Sequence, residues 1–128
     1  MLGLASYMQV LQIRAGHTVF DEHAREAFMC LVIEGSVTVL KSDSQAGQKE
    51  LARFGRGKAF GELALLDNQP RSATVKAAVD SRLMVLSDDA LANLCEEQPK
   101  LANALLRVLV KVISGRLRQT SGALVESL

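Results

Sequence analysis

The hydrophobic period of this chain changes once, at Ser87-Asp88-Asp89. Before that point apolar and β-branched residues come in short runs: Gln9 to Ile13, Met29 to Ile33, Val37 to Leu40, Leu51 to Phe54, Ala73 to Ala77 and Arg82 to Leu86. Residues with turn chemistry separate them. After it, Ala90 to Glu97 and the segment opening at Pro99 follow helical spacing. Leu101, Leu105, Val108, Leu109, Val112, Ile113 and Leu117 form one apolar stripe of that second segment. Many short strands followed by helices predict a mainly β fold, a barrel or jelly roll with C-terminal α-helices.

The breaks refine this plan. Ala15-Gly16 is a turn, and Gly55-Arg56-Gly57 is another. Glu34-Gly35-Ser36 joins two apolar runs, which predicts a hairpin. The polar stretch from Lys41 to Lys49 predicts an exposed hairpin tip. Ser87 is the expected N-cap of the first helix, with acids in its first turn, and Pro99 opens the next. Met1 to Gln9 is weakly patterned and reads as the remnant of a helix. With no internal repeat and no low-complexity linker, residues 1–128 read as one domain: a β-roll over 10–86, then helices over 87–121.

Composition narrows the function. The formal net charge is +1, so the chain as a whole carries no field that would draw in nucleic acid or an anionic membrane. It has no Trp, one Tyr and four Phe, too few for a base-stacking platform. Cys30 and Cys95 stand far apart in apolar contexts and suggest neither a disulfide framework nor a zinc site. No signal peptide is visible, and Leu101 to Leu117 is interrupted by Asn103, Arg107, Lys111 and Arg116, so it is not a membrane span. A cytoplasmic setting is expected. Lys100, Arg107, Lys111, Arg116 and Arg118 read as a solvated helix face.

One stretch carries chemistry, from Gly57 to Val75. It reads as a small-residue turn, a short apolar helix, a polar loop and a strand. Gly61 allows a ligand close to the backbone, and the first N–H groups of the short helix are suited to an anion. Arg71 offers a planar cationic fork for phosphate oxygens. Glu62 can accept from a sugar hydroxyl, and Ser72 adds a hydroxyl. On spacing alone, a surface ion pair between Glu62 and Arg71 is the plainer reading, worth about 0–1 kcal/mol.

Phe-Gly-Glu-Leu-Ala-Leu-Leu at 60–66 and Pro-Arg-Ser-Ala-Thr-Val at 70–75 change that reading. Together they resemble the phosphate-binding cassette, here 60–75, of cyclic-nucleotide-binding domains, and the resemblance extends over nearly the whole chain. It implies a double-stranded β-helix jelly roll and a ligand-sensing role without catalysis. It also implies that Glu62 accepts from the ribose 2′-hydroxyl and that Arg71 pairs with the exocyclic phosphate oxygens. Gly61, Leu63 and Ala73 would present backbone groups, and Ser72 a side-chain contact; Ala64 and Leu65 read as ordinary core. In the family, Thr directly after the cassette Arg tends to favour cyclic GMP, so Ser72 implies a modest preference for cyclic AMP. Gly115 to Ser121 is similar to the segment of the family's catabolite activators that faces adenine, which makes Thr120 and Ser121 candidate base contacts.

The family usually has Gly where this chain has His23, so a rebuilt turn is expected there. The expected partners are a cyclic nucleotide and an attached or partner effector signalled through the C-terminal helix, with a homodimer through that helix as a further possibility. No cofactor and no metal is expected. Two alternatives stand beside this reading. A degenerate or transcription-regulator-derived domain would act by protein interaction alone. A cupin-type enzyme would need a His and carboxylate cluster, and neither His17 nor His23 belongs to one.

Overall fold

A computed structural model describes residues 3–43 and 47–127, with side chains through residue 118. The chain up to Ala90 and the segment from Leu91 onward are two compact units, each described by itself.

Among the described residues the first unit forms two antiparallel sheets. One has the order β1 (Gln9–Ile13), β8 (Ser81–Ser87), β3 (Phe28–Glu34), β6 (Ala59–Phe60). The other has the order β2 (Thr18–Phe20), β7 (Thr74–Ala77), β4 (Ser36–Asp43), β5 (Gly47–Gly55). A six-residue helix, α1 (Glu62–Asp67), follows β6. A 3-10 turn at Leu4–Tyr7 precedes β1 in place of the expected helix remnant. The architecture is the expected jelly roll.

The core lies between the sheets and is built from the inward-facing residues of several strands. Cys30, Val32 and Leu83 from the first sheet pack with Phe20, Val37 and Val75 from the second, and Phe60 joins them. Phe20 stands edge-on to Phe28 (5.8 Å between centroids), Phe20 meets Phe60 (6.1 Å), and Phe60 stacks on Phe54 (6.3 Å). All four phenylalanines therefore form one line of ring contacts. Burying each such side chain is worth roughly 1.5–3 kcal/mol.

Three local expectations change. The runs on either side of Gly35 do not pair as a hairpin: β3 is bonded to β8 and β6, whereas β4 is bonded to β5 and β7. Gly35 is a corner where the chain passes from one sheet to the other. Its φ is +90°, and a Cβ there would lie 2.8 Å from the Asp80 carbonyl oxygen. The short strands β2 and β6 carry too few residues to show a period, and they exist because each finds a ladder partner in β7 or β3. The turn at His23 is not rebuilt: His23 itself adopts φ +74°.

The expected β4–β5 hairpin is present, with its ladder reaching Asp43↔Gly47. Then come α2 (Asp88–Glu97) and α3 (Pro99–Ser127). The Ser87 hydroxyl accepts from the Ala90 N–H at 3.1 Å, as an N-cap does. Helix α3 continues past the expected end at residue 121. Val108 and Leu117 of the predicted stripe are exposed, as is Val110. Among the described residues no helix is long and apolar enough to cross a membrane.

Candidate functional site

The site gathers at α1 and the chain that leads into β7. Gly61 is the N-cap of α1 and adopts φ +80°. A Cβ at this position would lie 2.9 Å from Arg71 Nη1, 3.2 Å from the Phe28 carbonyl oxygen and 3.3 Å from Phe20 Cε2. Glycine is thus required twice, by conformation and by the arginine packed against it. Asn68 closes the helix in the left-handed region, and its N–H donates to the Ala64 carbonyl at 3.1 Å. The Asp67 carboxylate then accepts from the Gln69 N–H at 3.0 Å, turning the chain toward Pro70 and Arg71.

Arg71 is the centre of the arrangement and is only 4% exposed. Its Nη1 donates to the Gly61 carbonyl at 2.8 Å and its Nη2 to the Phe28 carbonyl at 2.6 Å. The guanidinium carbon sits 3.9 Å from the Phe20 ring centroid and 4.6 Å from that of Phe28. Nε has no acceptor among the described residues. Burial pulls the guanidinium below its ordinary pKa, and the Cys30, Glu26 and Glu62 side chains oppose that shift. Burial likewise pushes the Cys30 thiol up to about 12, which leaves it inert as a nucleophile.

Glu62 opens α1 and is 3% exposed. A surface ion pair is therefore excluded, because both partners of the suggested pair are buried. Leu63 is exposed, whereas Ala64 and Leu65 are core. Ser72 is exposed and Ala73 buried. Gly61, Glu62, Leu63, Arg71, Ser72 and Ala73 thus lie on one short helix and the segment bonded to its N-cap. Thr120 and Ser121 belong to α3, but their side chains lie outside the described residues.

Several residues of the site had no signal in the spacing. The guanidinium packs against both Phe20 and Phe28, and neither is near Arg71 in sequence. The turn at Glu22 to Ala24 grips the cassette. The His23 N–H donates to the Arg71 carbonyl at 2.8 Å, the Arg71 N–H to the Ala24 carbonyl at 2.8 Å, and the Glu22 N–H to Thr74 Oγ1 at 2.8 Å. Lys41, on β4, donates from Nζ to the Ser72 carbonyl at 2.8 Å and lies 3.8 Å from the Glu22 carboxylate. That carboxylate also accepts from the Ser42 N–H (3.0 Å) and hydroxyl (2.9 Å). These two bonds, aided by the charges of Lys41 and His23, hold it below the usual carboxylate range. The unusual residue at the His23 turn was the one available clue.

Chemically, the arrangement offers a fixed, buried cation with an unused donor beside a close-approach glycine. It suits a small anion such as a phosphate. Among the described residues no group of three or more His, Cys, Asp or Glu side chains is placed to hold a metal ion.

Residues 10–98 match the model of the cyclic nucleotide-binding domain family. The chain is 28% identical, over 96% of its own length, to a CRP-like cAMP-activated global transcriptional regulator of Mycobacterium tuberculosis, and it spans 53% of that protein. A solved cyclic nucleotide-binding domain from Methylobacillus flagellatus superimposes with a TM-score of 0.87 at 30% identity, covering 96% of this chain and 69% of that one. The catabolite activator protein of Thermus thermophilus superimposes with a TM-score of 0.77 at 29% identity, covering 94% and 55% respectively.

Proposed function

The chain belongs to the cyclic nucleotide-binding domain family, and on that footing we propose that it is a sensor for cyclic AMP that reports binding to an attached effector. The observation that carries this is the state of Arg71, a buried guanidinium with an Nε donor that has no acceptor among the described residues. An unsatisfied buried donor costs about 1–3 kcal/mol. A domain working by protein contact alone would bear that cost for no purpose. A phosphate oxygen at Nε would satisfy the donor with a charge-assisted bond.

In this reading Arg71 holds the phosphate, Glu62 the ribose hydroxyl, and the backbone at Gly61, Leu63 and Ala73 lines the sugar-phosphate. Ser72 contacts the phosphate and tilts selectivity modestly toward cyclic AMP over cyclic GMP. The resemblance alone makes Thr120 and Ser121 candidate base contacts. The chain holds its ligand and does no chemistry on it. The Mycobacterium tuberculosis relative is about twice as long and is named as a cAMP-activated regulator, which supports an effector outside this segment. Val110 and Leu117, apolar residues that α3 exposes one above the other seven positions apart, supply a surface for that effector or for a second copy.

Calorimetric titration with cyclic AMP, paired with thermal melting, tests the proposal. Mass action adds ~2.7 kcal/mol of stability at a hundredfold excess over Kd. No heat of binding and no rise in melting temperature at millimolar cyclic AMP would sink it.

A further inference from the structure

The Ser72–Ala73 peptide precedes β7, and Lys41 holds one side of it. The residues on either side are pinned: the Arg71 backbone bonds to the turn at His23 and Ala24, and the Thr74 hydroxyl accepts from the Glu22 N–H. The peptide between them is held differently. Its carbonyl accepts from Lys41 Nζ at 2.8 Å. Its N–H, that of Ala73, has no acceptor among the described residues, although Ala73 is only 8% exposed. N–H groups without a partner in residues this little exposed are rare in folded chains, so this donor is available to a ligand.

A planar trans peptide sends its C=O and N–H in opposite directions. Anchoring the oxygen therefore aims the nitrogen. We propose that Lys41 is a positioning residue for the ligand: by holding the Ser72 carbonyl, its ammonium turns the Ala73 N–H toward the cyclic-nucleotide phosphate. A cation on the carbonyl also polarises the peptide and strengthens the N–H as a donor. Lys41 is itself steadied by Glu22, whose carboxylate is 10% exposed and fixed by Ser42. Lys41 does not touch the ligand, and it stands on a strand outside the cassette. Nothing in the cassette's own spacing points to it.

The inference rests on the cyclic-nucleotide reading above, and the test separates the two. Cyclic AMP is titrated into the wild-type chain, Lys41→Met, Lys41→Arg and Glu22→Gln, while the Ala73 amide is followed by 15N–1H NMR. Lys41→Met should raise Kd about fivefold to tenfold, the effect of one hydrogen bond, and should shrink the ligand-induced shift of the Ala73 amide. Lys41→Arg should recover most of both. Glu22→Gln keeps the acceptor for Ser42 but frees Lys41, so it should move both readouts the same way by less. Melting curves report folding, and the Glu22 variant carries the test if Lys41→Met is unstable. An unchanged Kd in the two loss variants overturns the inference. So does a weakened Kd with an unchanged Ala73 shift, since the loss would then be one of charge alone. A wild-type chain that binds no cyclic AMP overturns the functional reading and the inference with it.

Discussion

The His23 N–H donates to the Arg71 carbonyl at 2.8 Å, and through this bond a left-handed turn residue holds the backbone of the buried arginine. The reciprocal bond from the Arg71 N–H to Ala24 makes the turn a clip on the cassette. Arg71 is thus fixed at both ends. Its backbone is held by the turn, and its guanidinium by the carbonyls of Gly61 and Phe28. In the proposed function this fixed arginine is preorganised for the phosphate, which lowers the ordering cost of binding.

Arg71→Ala should weaken cyclic AMP binding by about one to two decades, since charge-assisted bonds to phosphate are worth roughly 1.5–3 kcal/mol. Arg71→Lys should not restore affinity, because an ammonium cannot reach the Gly61 and Phe28 carbonyls and a phosphate as a planar fork does. Calorimetry on folded variants measures both. Wild-type affinity in Arg71→Ala would show that the phosphate sits elsewhere.

Gly61→Ala should lose stability and affinity together. The left-handed backbone costs an L-residue roughly 1–2 kcal/mol, and the new Cβ would meet Arg71 Nη1 at 2.9 Å. Urea unfolding and titration of the same sample check the pair. A variant with lowered stability but unchanged affinity would mean that Arg71 can shift without consequence for the ligand.

His23→Gly should stabilise the free chain by about 0.5–1 kcal/mol, the left-handed penalty less the entropy glycine adds to the unfolded state. The backbone bond to Arg71 survives the change, so affinity should hold. Chemical denaturation decides, and a clear loss of stability would show that the His23 side chain contributes more than its conformation costs.

Acid should weaken the clip. The Ser42 bonds keep the Glu22 carboxyl below its ordinary pKa in the folded chain. A depressed folded pKa adds stability above the unfolded value of about 4.3, and that stability is lost as pH falls through the folded value. Stability measured from neutral pH downward should therefore fall less steeply at acid pH in Glu22→Gln than in the wild type. Parallel profiles would remove Glu22 from the acid response.

Ser72→Thr should shift selectivity toward cyclic GMP by up to about tenfold, the size of one hydrogen bond, because the added methyl restricts the hydroxyl's rotamers and can fix it toward the base. Competition between the two nucleotides reads it directly. An unchanged ratio would show that residue 72 does not meet the base.

The longer strands between Gln9 and Leu86 and the switch to helices at Ser87 were legible in the sequence, and so was the short helix that follows Gly61. Each rests on local information: the two-residue period of a half-buried strand, a capping hydroxyl, a glycine beside a short helix. The residues that make the cassette a site were not legible. Phe20 and Phe28 both pack against Arg71 because β2 and β3 meet across the core, and Lys41 reaches Ser72 because β4 pairs with β7. The corner at Gly35 looked like a hairpin because adjacency in sequence does not say which sheet a strand joins. By itself the sequence determined which of the longer segments form strands and helices, since those depend on near neighbours along the chain, and its cassette motif singled out the candidate binding residues by resemblance. Only the tertiary structure decided that Arg71 is buried, gripped and aimed, because desolvation, ring stacking and carbonyl contacts come from segments that only folding brings together.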